Sequence, residues 1–270
     1  MPEGHWQGSG DTYTLSWGGR SWTLDLHEPR PGLRCAEAPC FGVLLSLHGL
    51  TAPGRFEDRV FTGTTLVGVE RYRSRIQATY APRDWGGLTV RAAWSPACNG
   101  AGVDLEVQAS ASSVGLLHDV EVMVQSRWER SDGAAATTER RVLPRDARAT
   151  AFSYDGREPA GDLRSLVTLA LTDTPRFHVA ALPEAAHGFS YLEMVPPNDV
   201  ARLVRTGFDN VPRTLVEPVA LTYGLFGHDF EKGVVFRARL RGCWIRAETP
   251  LTEVNELYRT FLDEPPPLGP

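Results

Sequence analysis

The chain has 270 residues, 42% of them apolar and 23% charged, the balance of an ordinary globular protein rather than of a disordered or membrane-embedded one. Its formal net charge of −5 lacks the basic excess that a phosphate backbone demands, so no nucleic acid is expected as a partner. No run reaches the roughly 18 apolar residues of a spanning helix, and no membrane partner is expected either.

The first 17 residues are polar and Gly-rich, without the basic and then apolar stretches of a secretory leader, so a cytoplasmic location is expected. From there, short apolar or alternating runs bounded by Gly, Pro, Asn and Asp recur along the chain, the pattern of strands in a sandwich or barrel. Strands are predicted over 12–26, broken by a hairpin turn at Gly18-Gly19, and then over 41–47, 63–80, 88–94, 103–109 and 120–128. Residues 131–138 have no apolar period and mark the best candidate for a subdomain seam. Further strands are predicted over 151–154, 166–171, 177–181, 189–195, 200–206, 215–223 and 233–245.

One helix is signalled near the end, with Thr249 as N-cap, Pro250 at the first helical position, and Leu251, Val254, Leu257, Tyr258, Phe261 and Leu262 on one stripe. Pro265-Pro266-Pro267 stops it. The expected fold class is therefore all-β: a large antiparallel β-sandwich, supersandwich-like, with one C-terminal helix, spanning 1–270 as a single domain.

Four cysteines, Cys35, Cys40, Cys98 and Cys243, form no C-x-x-C pair and are too few for a disulfide framework, although Cys35 and Cys40 are close enough in sequence to bridge a loop. Every Lys or Arg other than Lys232 is an arginine. Genome composition accounts for such a bias; so does a need for planar donors that grip carboxylate, sulfate or phosphate in pairs.

The chain has no G-x-S-x-G elbow, P-loop, H-E-x-x-H or dinucleotide fingerprint, and no cofactor is expected. The histidines are scattered without an H-x-H pair. The cluster Gly227-His228-Asp229-Phe230-Glu231 gathers metal-ligating types, but its place before a Gly-initiated strand reads as a polar hairpin loop, and no metal is expected.

The segment from His187 to Val195 is more informative, because a period of two places His187, Phe189, Tyr191 and Glu193 on one face of a strand. Aromatic rings beside a carboxylate and an imidazole suit a sugar, with the rings stacking on its C–H faces while Glu and His move protons on its oxygens. The alternative is a half-buried strand whose aromatic residues are core. Two arginine triplets, Arg71, Arg73 and Arg75, and Arg237, Arg239 and Arg241, would each set three guanidinium groups on one strand face. Such a row must be solvated, paired with carboxylates, or opposed to an anionic ligand such as a uronic acid or sulfated sugar.

The run of strands over 41–245, with long members such as 63–80 and faces that carry Trp and Arg, resembles the galactose-mutarotase-like supersandwich proteins. The resemblance implies two stacked antiparallel sheets and a concave sugar-binding face. Epimerases of that family use a histidine as acid and a late glutamate as base. Leu215-Val216-Glu217-Pro218 resembles the stretch around that glutamate, Glu193 is its rival, and His178 in Arg176-Phe177-His178-Val179 precedes both.

The functional expectation is proton transfer at a sugar, of the epimerase or lyase type, with Glu193 or Glu217 as base, His178 or His187 as acid, and Tyr191, Arg71, Arg73 and Arg75 as substrate contacts. The expected partner is a small neutral or acidic sugar or oligosaccharide. A non-catalytic sugar-binding or assembly protein is the alternative, because one fold serves many functions.

Overall fold

The computed structural model describes residues 4–17, 20–27, 31–35, 41–55, 60–97, 102–112, 117–129, 150–152, 179–186, 189–206, 219–246 and 248–265. Strands dominate. In chain order they are β1 (Trp6–Ser9), β2 (Thr12–Trp17), β3 (Arg20–Asp25), β4 (Gly32–Cys35), β5 (Phe41–Thr51), β6 (Leu66–Tyr72), β7 (Arg75–Tyr80) and β8 (Leu88–Pro96). They continue with β9 (Gly102–Ala111), β10 (Leu117–Glu129), β11 (Thr150–Phe152), β12 (Val179–Ala186), β13 (Phe189–Met194), β14 (Val200–Thr206), β15 (Val219–Phe230) and β16 (Val235–Arg246). Helix α1 (Leu251–Asp263) follows. Among the described residues no helix is long and apolar enough to cross a membrane.

Two eight-stranded antiparallel sheets result, one in the order β1-β2-β3-β4-β5-β10-β15-β14 and the other β11-β12-β13-β16-β9-β8-β7-β6. The fold is thus the all-β sandwich that the strand pattern predicts. Where burial alternates along a strand, it shows the inward face. On β2, Tyr13 and Leu15 are buried between exposed Thr12, Thr14 and Ser16. On β8, Leu88, Val90, Ala92 and Trp94 point into the main core, which they share with Leu15, Leu24, Leu47, Val122 and Val124 of the first sheet.

Three differences from the sequence reading have physical causes. The run 63–80 is not one strand: β6 and β7 pair through a two-residue turn with Tyr72 opposite Arg75, and Arg73 takes the left-handed conformation at φ 44°. No Gly, Pro or Asn advertises that turn. The short strands β1 and β4 were not signalled, because four residues are too few to establish a period. Helix α1 begins one residue late, with Pro250 as its N-cap, so no cap side chain bonds its first turn. The expected strand 166–171, the seam at 131–138 and the Cys35–Cys40 pairing lie outside the described residues and side chains.

The second sheet also has a covered outer face. Leu192 and Met194 of β13, with Cys243 and Ile245 of β16, pack against Val254, Tyr258 and Phe261 of α1 as a separate apolar cluster. That explains why β13 is buried on both faces: its odd positions meet the sandwich core, and Leu192 and Met194 meet the helix.

Candidate functional site

The odd face of β13 carries Tyr191, Glu193 and Val195 into the gap between the sheets, and Tyr191 and Val195 belong to the main core. Tyr191 and Glu193 do share a face, as the period of two requires, and Glu193 is 0% exposed there. Gly242 lies opposite Glu193, and Trp244 opposite Tyr191, on the neighbouring β16. A methyl group on Gly242 would sit 2.1 Å from the Tyr191 hydroxyl. Glycine here is a matter of space: it leaves room for the phenol to lie over β16. The Tyr191 ring tilts against Trp244 with centroids 5.1 Å apart.

The facing sheet supplies the partners. Ser126 of β10 donates its hydroxyl proton to Glu193 Oε1, and Tyr191 donates to the same oxygen at 3.2 Å. The Ser126 oxygen in turn accepts the Leu45 N–H at 2.8 Å, and the Leu45 carbonyl accepts the Trp94 indole N–H at 3.1 Å. A bulge in β5 makes this possible. Gln125 pairs with Ser46 and Arg127 with Val43, so Leu44 and Leu45 together face Ser126. Leu45 takes φ 46° there, a conformation rare and costly for a branched residue. Bulges re-aim backbone groups in this way. The hydrogen-bonded path therefore crosses the gap twice, from β8 to β5 and from β10 to β13.

Among the described residues, Glu193 has no cationic partner in this cluster. Burial pushes its pKa from 4.5 up to about 7, against the pull of Ser126, Tyr223 and Tyr191. Among the described residues its second oxygen, Oε2, is buried with no hydrogen-bond partner, as is the hydroxyl of Tyr223 on β15. That phenol acts on the carboxyl's ionisation without meeting hydrogen-bond geometry. Burial, with the charge of Glu193 added, raises the pKa of both Tyr191 and Tyr223 well above 10. Buried polar atoms are normally satisfied, and here a carboxyl oxygen and a phenol on facing sheets are not.

The arginines fall differently from their sequence spacing. Arg71, the last residue but one of β6, lies opposite core-facing Ile76, whereas Arg75 begins β7 one residue earlier and faces the other side, with Arg73 in the turn between them. They do not form a one-face ladder. Arg71 donates to the Gly8 carbonyl at 3.3 Å, and the Arg75 guanidinium lies 5.1 Å from the centre of the Tyr72 ring.

The second triplet does share a face, the outer one, where carboxylates of β9 meet it. Arg241 donates to both oxygens of Asp104, at 2.6 and 2.8 Å, and also grips Glu264 just beyond α1. Arg237 reaches Glu106 at 3.0 Å. Arg239 donates to the Glu264 carbonyl at 2.8 Å and to that of Phe261, satisfying carbonyls at the helix C-terminus where a cation is favoured. Burial opposes the charge on Arg241, but its bonds to Asp104 and Glu264 outweigh burial and hold its pKa above the usual value. Burial also pushes Asp104 up, against the same guanidinium; the bidentate geometry decides for an ion pair.

His178, His187 and Glu217 lie outside the described residues. The cluster at Gly227–Glu231 runs largely within β15 rather than forming a hairpin loop: Asp229 accepts the Asp119 N–H at 3.0 Å, and His228 stacks on Phe236. Among the described residues, no group of three or more His, Cys, Asp or Glu side chains is placed to hold a metal ion. Sequence reasoning missed Ser126 and Tyr223. Ser126 carried a faint signal as the polar end of the stripe Val120, Val122, Val124, Ser126.

No protein-family model matches this sequence, and no curated protein matches it. Solved structures do. An Escherichia coli protein provisionally described as an aldose 1-epimerase is 10% identical, with 90% of this chain and 99% of that one covered and a TM-score of 0.43. A galactose mutarotase related enzyme from Lactobacillus acidophilus is 9% identical, covering 92% and 99% of the two chains, with a TM-score of 0.39. Heparan sulfate lyase from Pedobacter heparinus is 9% identical over 89% of this chain, which spans only 36% of the lyase, with a TM-score of 0.43.

Proposed function

We propose that this chain is a carbohydrate-active enzyme that moves a proton at a neutral sugar, with Glu193 as the proton-transfer group. One observation carries the reading: a carboxyl that changes charge near neutrality, with one oxygen held by two hydroxyls and the other without a partner. A general acid or base works best when its pKa lies near the working pH, and such perturbed groups concentrate at functional sites. In ring-opening epimerisation the base takes the anomeric hydroxyl proton, an acid protonates the ring oxygen, the bond from C1 to that oxygen breaks, and the ring recloses on the other face. His178 or His187 is the acid in this reading.

A neutral sugar is preferred because the grounds for an anionic one have weakened. Arg71 and Arg75 face opposite sides of their sheet, and Arg237 and Arg241 are engaged by Glu106 and Asp104.

The zero exposure of Glu193 favours a second reading, a non-catalytic sugar-binding or assembly protein in which Glu193 pins the two sheets together. Polarimetry of α-D-galactose and α-D-glucose with wild type and Glu193→Gln separates the two. The enzyme reading expects mutarotation faster than in buffer and a loss of about 10²–10⁴ in the variant. Full activity in Glu193→Gln would move the role to Glu217. No acceleration by wild type, with a thermal shift on sugar binding, would establish the second reading.

A further inference from the structure

The hydroxyl of Ser126 has one proton and two lone pairs, and its surroundings fix how they are used. The Leu45 N–H can only donate, and it is aimed at the Ser126 oxygen at 2.8 Å. Ser126 therefore accepts on the β5 side with one lone pair, and its proton is directed at Glu193 Oε1. Tyr191 brings a second hydroxyl proton to that oxygen at 3.2 Å. A proton placed on Oε1 would confront both. Oε2 makes no hydrogen bond among the described residues, although the Tyr223 phenol acts on the same carboxyl.

We infer that Ser126 is the positioning residue of Glu193: with its oxygen held by the Leu45 N–H, it directs its proton to Oε1 and so leaves Oε2 as the oxygen that gains and loses the acidic proton. The inference rests on Glu193 as the proton-transfer group for its catalytic meaning, but the assignment of the proton stands on geometry alone.

Several features hold the arrangement. The β5 bulge sets Leu45 against Ser126, the Trp94 indole fixes the Leu45 peptide from the other sheet, and Gly242 leaves the space in which the Tyr191 hydroxyl lies. The titratable groups around Glu193 are Tyr191 on its own strand, Tyr223 on β15 and Cys243 on β16. Burial raises the pKa of both phenols well above 10 and pushes the Cys243 thiol up to about 12. All three stay neutral while Glu193 titrates. The residues contributed by β5, β8 and β10, namely Leu45, Trp94 and Ser126, carry no charge. Ser126 thus tunes Glu193 without competition from a nearby ion.

The test is the protonation midpoint of Glu193 in the full chain, read from its carboxylic acid infrared band and assigned as the band lost in Glu193→Gln. A hydroxyl donating to a carboxylate favours the charged form, so Ser126→Ala is expected to weaken the acid roughly tenfold to a hundredfold. Ser126→Thr, which keeps the hydroxyl, is expected to restore the wild-type midpoint. If Ser126→Ala does not fold, Ser126→Cys keeps the side chain at similar size with a weaker donor and is expected to move the midpoint the same way. An unmoved midpoint in the folded Ala or Cys variant overturns the inference. The proton-transfer reading fails separately, if wild type turns over no sugar or Glu193→Gln retains full turnover, whatever the midpoint does.

Discussion

Two buried ionisable clusters lie back to back across β13 and β16, and they handle charge in opposite ways. On the outer face, Arg241 is 0% exposed and is met by Asp104 and Glu264. On the inner face, Glu193 is equally buried but among the described residues is met by neutral hydroxyls. The first cluster fixes its protons. The second leaves its proton poised, because burial without an opposite charge carries a carboxyl toward neutrality. The same two strands therefore present one face built for anchoring a helix and another built to respond to pH.

The contrast is broken most forcefully from the outer side. Arg241→Met removes the guanidinium that bonds both Asp104 and Glu264 and is expected to destabilise the fold by about 3–5 kcal/mol in urea unfolding at neutral pH. A loss under about 1 kcal/mol would show that Asp104 and Glu264 do not depend on it.

On the inner side the expected sign is the reverse. The folded pKa of Glu193 is raised from 4.5 to about 7, so its stabilising contribution is complete below about pH 4.5 and is lost as pH rises through about 7. Wild type should lose about 3 kcal/mol across that window from this group. Glu193→Gln should not. Unfolding free energies of the two proteins at pH 4 and pH 8 check this, and parallel pH profiles would sink it.

Two glycines sharpen the comparison further. Gly242→Ala drives a methyl against the Tyr191 hydroxyl and is expected to cost about 1–3 kcal/mol, the range for overpacking a filled core. Gly68 on β6 has nothing within 4 Å of an added methyl. Gly68→Ala is expected to leave stability within about 0.5 kcal/mol or raise it slightly. Equal melting temperatures for the two variants would mean that the gap beside Tyr191 is looser than its geometry indicates.

Much of the fold was legible because strands such as β2 alternate, and because Pro and Gly mark many of the ends. The pairing of Tyr191 with Glu193 on one face followed from the same period. Which face was the inner one did not follow. Tyr191 and Leu192 are both buried apolar residues, so period alone cannot tell the sandwich core from the helix contact. Ser126 escaped notice because its role depends on the Leu45 N–H, which arrives from 81 residues away through a bulge that leaves no mark in composition. The Arg71–Arg75 triplet misled for a simpler reason: an unadvertised turn reverses the chain within it.

The place of β16 in its sheet bears on how the molecule is made. Leu240 pairs with Leu105 of β9 on one side and Tyr191 of β13 pairs with Trp244 on the other, so the second sheet is joined in its middle by a strand synthesised after both neighbours. Pairings this distant in sequence slow folding. Until β16 emerges from the ribosome, β9 and β13 each present an open edge, the kind of surface that invites other chains to pair. Nascent chains arrested before Val235 should accordingly be captured by holdase chaperones and cut readily by protease, and chains arrested after the whole of β16 and α1 has cleared the exit tunnel should resist both.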